Sequence, residues 1–299
     1  MKSVLRAVVA SAVLPLALGG CVVVDSQGRL ARDEKRFTVS GAPEVKLTTF
    51  DGNIEVRAAD TKTVVVEIEK RGPTQEAIDE LKIETKQDGD RIEVEVKRPP
   101  TTVAIVGFGR VSPHARLTVT MPRNGTIIAR SGDGAITVTG VNGRIELRTG
   151  DGNVRASDVN GQMLISTGDG AVTIDNSEGD VDVDTGDGSV SVAGKLGVVK
   201  LHTGDGAITF RADPGSSMKG DWSMITGDGG VAVYLPADFS ADLDAHTGDG
   251  VIRNDLKVEG DNRESNRDSN RRTLRGKIGA GGKLLKIRTG DGGIRLKES

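Results

Sequence analysis

A Gly-Asp-Gly triplet, preceded by threonine in all but its first occurrence, recurs down this chain at an interval that leaves little freedom for the fold. The triplet aspartates are Asp133, Asp151, Asp169, Asp187, Asp205, Asp228, Asp249 and Asp291. The first five are 18 residues apart, and the later gaps of 23, 21 and 42 read as insertions into a constant number of repeats. After each triplet apolar residues alternate, as at Val154 and Ala156 or Val172 and Ile174. Before each they alternate again, as at Ile145 and Leu147 or Met163 and Ile165. Period-two alternation with β-branched residues is the signature of strands. Each unit is therefore two short strands and two turns, one turn being T-G-D-G and the other V-N-G or S-E-G (Val141–Gly143, Val159–Gly161, Ser177–Gly179).

One such unit cannot stand alone. Its inward side chains supply about 1.5–3 kcal/mol each on burial, whereas ordering its backbone costs about 1–2 kcal/mol per residue. Stacking units about 4.8 Å apart shares hydrogen bonds and covers both faces. The expected fold is all-β: a single-stranded parallel β-helix, or β-solenoid, with coils of about 18 residues. In it Leu147, Ile165, Val183 and Leu201 form one buried column. Composition agrees, because 41 glycines serve as punctuation and aromatics are only 2% of the chain, too few for a conventional core. Trp222 falls in an inward column and is assigned to the core.

The flanks depart from the repeat. Val45–Val56 aligns with the later coils, with Phe50 where glycine usually stands. Between it and the main repeat the sequence implies strands at Val64–Ile68 and Ile92–Val96, a short helix from Thr74 to Leu81 capped by Thr74, an exposed loop made of Pro99-Pro100 and the Gly-containing Val103–Pro113, and a cap formed by this stretch. Residues 260–277, polar and rich in arginine, read as a mobile insertion.

Lys2 and Arg6 precede a short apolar run, Ala7–Leu18, which ends in Leu18-Gly19-Gly20-Cys21. The run is too short for the roughly 20 apolar residues of a membrane span and fits a secretory signal. Leu-Gly-Gly-Cys resembles the lipobox of bacterial lipoproteins, which implies cleavage before Cys21 and lipidation of its thiol. Val22 in place of aspartate implies an outer-membrane destination in a Gram-negative host. The expected layout is a signal peptide over 1–20, a tether over 21–36 and the solenoid domain over 37–299. Cys21 is the only cysteine, so no intramolecular disulfide forms.

The sequence Leu117–Pro122 (L-x-V-x-M-P), the serial T-G-D-G coils, Gly276–Gly282 (GKIGAGG) and the final RTGDGGIRL together resemble the bacterial putative-adhesin family of unknown function. The resemblance covers Phe37 to the C-terminus. It implies a β-solenoid in the envelope and carries over no catalytic or ligand residue.

The aspartates admit two readings. In the structural one, glycine gives the turn access to positive φ and each carboxylate closes an Asx-turn on its own backbone. Stacked carboxylates repel by about 1 kcal/mol per neighbouring pair in water and about 3–4 at an effective dielectric of 20. Arg130, Arg148 and Arg288, three residues before their aspartates, are the expected counter-charges. In the functional reading Asp133, Asp151, Asp169, Asp187 and Asp205 form a cation ladder of the calcium-binding kind. Against it, the second turn mostly carries Asn or Ser rather than Asp. A carbohydrate-active enzyme on the same fold is the further alternative. No Asp-Asp pair, P-loop or metal-spaced histidine cluster supports it; His202 and His246 read as surface decoration, and the outward column Thr137, Thr173, Ser191, Thr209, interrupted by Arg155, as ordinary strand residues. The expectation is a lipid-anchored, non-catalytic binding or scaffolding protein without a cofactor. Its partners would be the membrane through the lipid and an envelope or extracellular protein or glycan, not nucleic acid.

Overall fold

The computed structural model describes residues 22–25, 28–97, 104–106, 109–260 and 272–299. Among the described residues the fold is all-β, with one helix of five residues, Gln75–Asp79. Strands join into one 24-stranded sheet that closes around its own apolar interior as a solenoid-like stack, with a separate hairpin of Ala104–Val106 and Gly109–Val111. Each layer contributes a strand before the G-D-G corner to one column and a strand after it to a second column.

Through the middle of the molecule the repeat sets the register. Asn142–Arg148 pairs in parallel with Asn160–Thr167, Ile145 opposite Met163 and Leu147 opposite Ile165. Ile165 then faces Val183 and Val183 faces Leu201. These residues are all buried, at 0 to 3% exposure, so the predicted column is present. The second column behaves alike, with Ile136, Val154 and Val172 in one row. Side chains alternate in and out along each strand, so the apolar half of every strand meets its counterpart in the layers on both sides. A cluster of three aromatic side chains fills the C-terminal half of the interior. Trp222 is fully buried, meets Phe210 edge-on at 5.2 Å and Phe239 at 5.1 Å, and donates its indole N–H to the Gly197 carbonyl at 2.8 Å. The core assignment of Trp222 holds.

At both ends the order of layers in space departs from their order in sequence. Near the N-terminus, Glu44–Thr48 lies between Arg91–Val96 and Thr126–Arg130. Likewise Ile54–Ala59 lies between His114–Pro122 and Ile136–Thr139. The intervening segment thus supplies the outermost parallel layer as well as a cap. Antiparallel strands close it: Ile83–Asp88 on one column, and Thr63–Gly72 followed by Gly28–Thr38 and Val22–Asp25 on the other. Thr74 caps the helix by accepting from Ala77 N–H at 3.2 Å, and Ala77 and Ile78 are buried beneath it. At the other end the last layer of the sequence, Leu284–Thr289 with Ile294–Glu298, sits between Trp222–Leu235 and Ala241–Asn254. The 42-residue gap therefore does not mark an insertion into a coil stacked in sequence order.

Two boundaries differ from expectation. Residues 28–36, expected as a tether, lie in the strand Gly28–Thr38, which pairs antiparallel with Thr63–Gly72 and buries Phe37. Part of the expected mobile insertion over 260–277 is strand, because Thr273–Ile278 pairs antiparallel with Ala241–Thr247 and buries Leu274. Residues 261–271, Pro99 and Pro100 lie outside the described residues, as does the signal segment with Cys21.

Candidate binding surface

Stacking the layers turns the G-D-G corners into a ridge. In spatial order it runs Asp51, Asp133, Asp151, Asp169, Asp187, Asp205, Asp228, Asp291 and Asp249. The threonine holds this corner, not the aspartate. Buried Thr167 donates its hydroxyl toward the carbonyls of Gly150 and Gly152 in the preceding layer, both at 3.1 Å. Thr149, Thr185, Thr203 and Thr226 repeat the arrangement. The same oxygen accepts from its own turn where geometry allows, as Thr203 does from Gly206 N–H at 3.1 Å. Successive glycines add a backbone ladder, Gly168 N–H to Gly150 O and Gly186 N–H to Gly168 O.

The glycines serve close approach. A Cβ on Gly170 would lie 2.0 Å from the Gly152 carbonyl oxygen, so the corner backbones leave no room for a side chain. Positive φ belongs to the second turn instead, at Gly143 (144°) and Gly161 (137°). The expectation of positive φ at T-G-D-G is thereby corrected.

The expected Asx-turn is also absent. Among the described residues, the side chains of Asp133, Asp151, Asp169, Asp187 and Asp205 make no hydrogen bond or ion pair, and all five are exposed. Asp249 pairs with Arg272 at 3.1 Å. The arginines expected as counter-charges turn elsewhere. Arg130 and Arg148, with Arg144, surround Glu146 at 3.2 to 3.5 Å. Burial alone would raise the Glu146 pKa, but the Arg130 hydrogen bond and the neighbouring positive charges outweigh it and hold it below the ordinary value. Arg288 pairs with Asp244 at 2.5 Å. Along the ridge no group of three or more His, Cys, Asp or Glu converges as a metal site would require, among the described residues. His202 meets Asp184 at 3.2 Å and His246 meets Thr273 at 2.9 Å, both on the surface.

Where the ridge ends beyond Asp51, a polar cleft of about 450 Å³ opens, lined by Asp51, Asn53, Glu69, Arg71, Ser112, His114 and Arg116. Antiparallel pairing builds it. His114 lies opposite Arg71 and Arg116 opposite Glu69, while Gly52 packs on the Ala115 carbonyl and brings the last corner alongside. Arg71 and Arg32 share the Glu69 carboxylate at 2.9 and 3.1 Å. Burial would raise the Glu69 pKa, but the hydrogen bonds from Arg71 and Arg32 lower it on balance. No motif announced this cleft; its residues come from three separated segments, and only the strand register joins them.

The family model described as Toastrack DUF4097 matches residues 42–297. No curated protein matches the chain. Among solved structures, a "Putative lipid binding protein" from Parabacteroides distasonis is 12% identical with a TM-score of 0.51, covering 89% of this chain and 96% of that one. A "putative adhesin" from Parabacteroides merdae is 11% identical with a TM-score of 0.47, covering 89% and 95%. At such identities the likeness concerns the fold alone.

Proposed function

The chain belongs to the Toastrack DUF4097 family, and on that premise we propose that it is a lipid-anchored, non-catalytic binding or scaffolding protein of the bacterial envelope, adhesin-like in role. The observation that carries the reading is the unbroken run of aligned corners and strand faces from Asp51 to Asp249, a long display surface that a scaffold needs. Solenoids present extended surfaces of this kind to partners. Within the proposal the stack is one parallel β-helix; the 18-residue offsets between Asn142, Asn160 and Glu178 support that description.

Anchoring is supported by Leu18-Gly19-Gly20-Cys21 and by a first strand that begins at Val22. With the strand starting there, the capped end of the stack would rest close to the membrane and the opposite end would project from it. The outer membrane is the destination proposed for a Gram-negative host, and the partner is an envelope or extracellular protein or glycan. Mass spectrometry of the mature N-terminus from native membranes is expected to find a lipid-modified Cys21. An unmodified start at another residue would remove the anchor from the proposal.

A further inference from the structure

We propose that the cleft at the capped end of the stack is a binding site for an acidic sugar, a pyranose bearing a carboxylate or a phosphate. The inference goes beyond the scaffolding role and does not require Cys21 to be lipidated.

Three features lead to it. The first is charge. Arg71 and Arg116 line the cleft together with the carboxylates of Glu69 and Asp51, and Glu69 is already shared by Arg71 and Arg32. Arg116, exposed and directly opposite Glu69 in register, has no ion pair or hydrogen bond among the described residues. Its guanidinium is the free fork, and guanidinium geometry suits carboxylate and phosphate oxygens in pairs. Arg71 projects from the neighbouring strand on the same outward face, a diagonal neighbour within reach of one anion.

The second feature is the rest of the lining. Asp51, Asn53 and Ser112 supply acceptors and donors of the kind that hydroxyl groups use. The Asn53 amide oxygen is already committed to Ala135 N–H at 3.0 Å, which fixes the side chain and leaves its NH₂ group to donate. The lining therefore combines a guanidinium suited to an oxyanion with polar groups suited to hydroxyls, the two halves of an acidic sugar. The third feature is size. About 450 Å³ lies within the usual range for small-ligand sites, roughly 300–1,000 Å³.

The test uses calorimetric titration of the full chain with glucuronate, glucose 6-phosphate, glucose and inorganic phosphate. Glucuronate or glucose 6-phosphate should bind, and which one binds identifies the anion as carboxylate or phosphate. Arg116→Ala should weaken that binding by about tenfold or more, as loss of a charged hydrogen bond does. A distant exposed arginine variant, Arg295→Ala, should bind as the native chain does. Arg116→Gln serves as the second variant if Arg116→Ala fails to fold. The proposal is overturned if neither acidic sugar binds, if glucose binds as well as they do, if inorganic phosphate matches glucose 6-phosphate, or if the Arg116 variants bind unchanged. A native protein carrying lipid at Cys21 yet failing these titrations would lose the cleft and keep the envelope role.

Discussion

The middle of the stack and its two ends are made from the same corner, yet they assemble by different rules. From Asn142 to Ala212 each layer lies on the one before it in sequence, and the pairing offset equals the repeat length except at Ser177–Gly179, which pairs one residue short with Gly194–Leu196. At the ends, Glu44–Ala59 and Leu284–Glu298 are each held between two other layers, and antiparallel strands cover the outer edges. The difference teaches what a repeat specifies. It fixes the side-chain phase and the corner, which any two layers can share, but not which layer neighbours which. An interior layer is covered on both sides by copies of itself, whereas a terminal layer exposes a row of unpaired backbone groups that invites further pairing. Interleaving and antiparallel capping both remove such edges.

The largest effect that would sharpen this contrast is in the middle. Val183→Asp places an unpaired charge between Ile165 and Leu201, where nothing can pair it, and should cost more than about 3 kcal/mol in urea unfolding. A variant as stable as the native chain would show that the strand phase is wrong.

Next come a glycine inside a corner and a glycine that directly follows one. Gly170→Ala should cost about 1–3 kcal/mol, because its Cβ must displace the Gly152 carbonyl 2.0 Å away. Gly230→Ala, in a layer that touches the interleaved end, should cost less than about 1 kcal/mol, since its nearest neighbour is the Gly293 oxygen at 3.5 Å. Equal melting temperatures for the two variants would erase the distinction between the closely packed corner glycine and the open position that follows a corner.

The C-terminal interleaving also carries a pH signature. Burial would raise the Asp244 pKa, but hydrogen bonds from Arg288 and Arg275, one on each adjacent strand, outweigh it and hold the carboxyl below its ordinary value. The stabilisation is therefore present above the ordinary aspartate pKa of about 3.9 and is lost as pH falls through the lowered folded value. Asp244→Asn should flatten the acid limb of the stability curve; an unchanged limb would show that these pairs contribute nothing.

The smallest effect is on the ridge. Asp169 has no partner to lose, so Asp169→Asn should shift stability by no more than about 0.5 kcal/mol, with a small gain in low salt as repulsion falls. Melting with and without excess calcium should coincide. A calcium-dependent rise of several degrees would mean that the carboxylates act together on a cation.

Much of this fold was legible in advance because alternation and repeat length are local properties. Leu147, Ile165, Val183, Leu201 and Trp222 announced their burial by position alone. The threonine was also visible before each G-D-G, but its task is to reach carbonyls 15 and 17 residues back, and a turn read by itself contains no such partners. That is why the aspartate was credited with closing the corner. The cleft was illegible for a related reason: Arg71, His114 and Arg116 meet through antiparallel register between segments of unlike sequence. The exchange of layers at the ends hid in the same way, since every layer there satisfies the same pattern.

Cross-linking across the C-terminal layers tests the central claim most directly. Ser223 lies beside Lys286, and Lys286 beside Asp244, so Ser223 and Asp244 are two layers apart. With Cys21 replaced by serine, the pair Ser223→Cys and Lys286→Cys should oxidise readily, because adjacent strands lie about 4.8 Å apart and a disulfide spans about 4.4–6.8 Å between Cα atoms. The pair Ser223→Cys and Asp244→Cys should stay reduced. Peptide mapping by mass spectrometry that found the first bond and not the second would establish the interleaved order. The reverse result would mean that the layers stack in sequence order to the end of the chain.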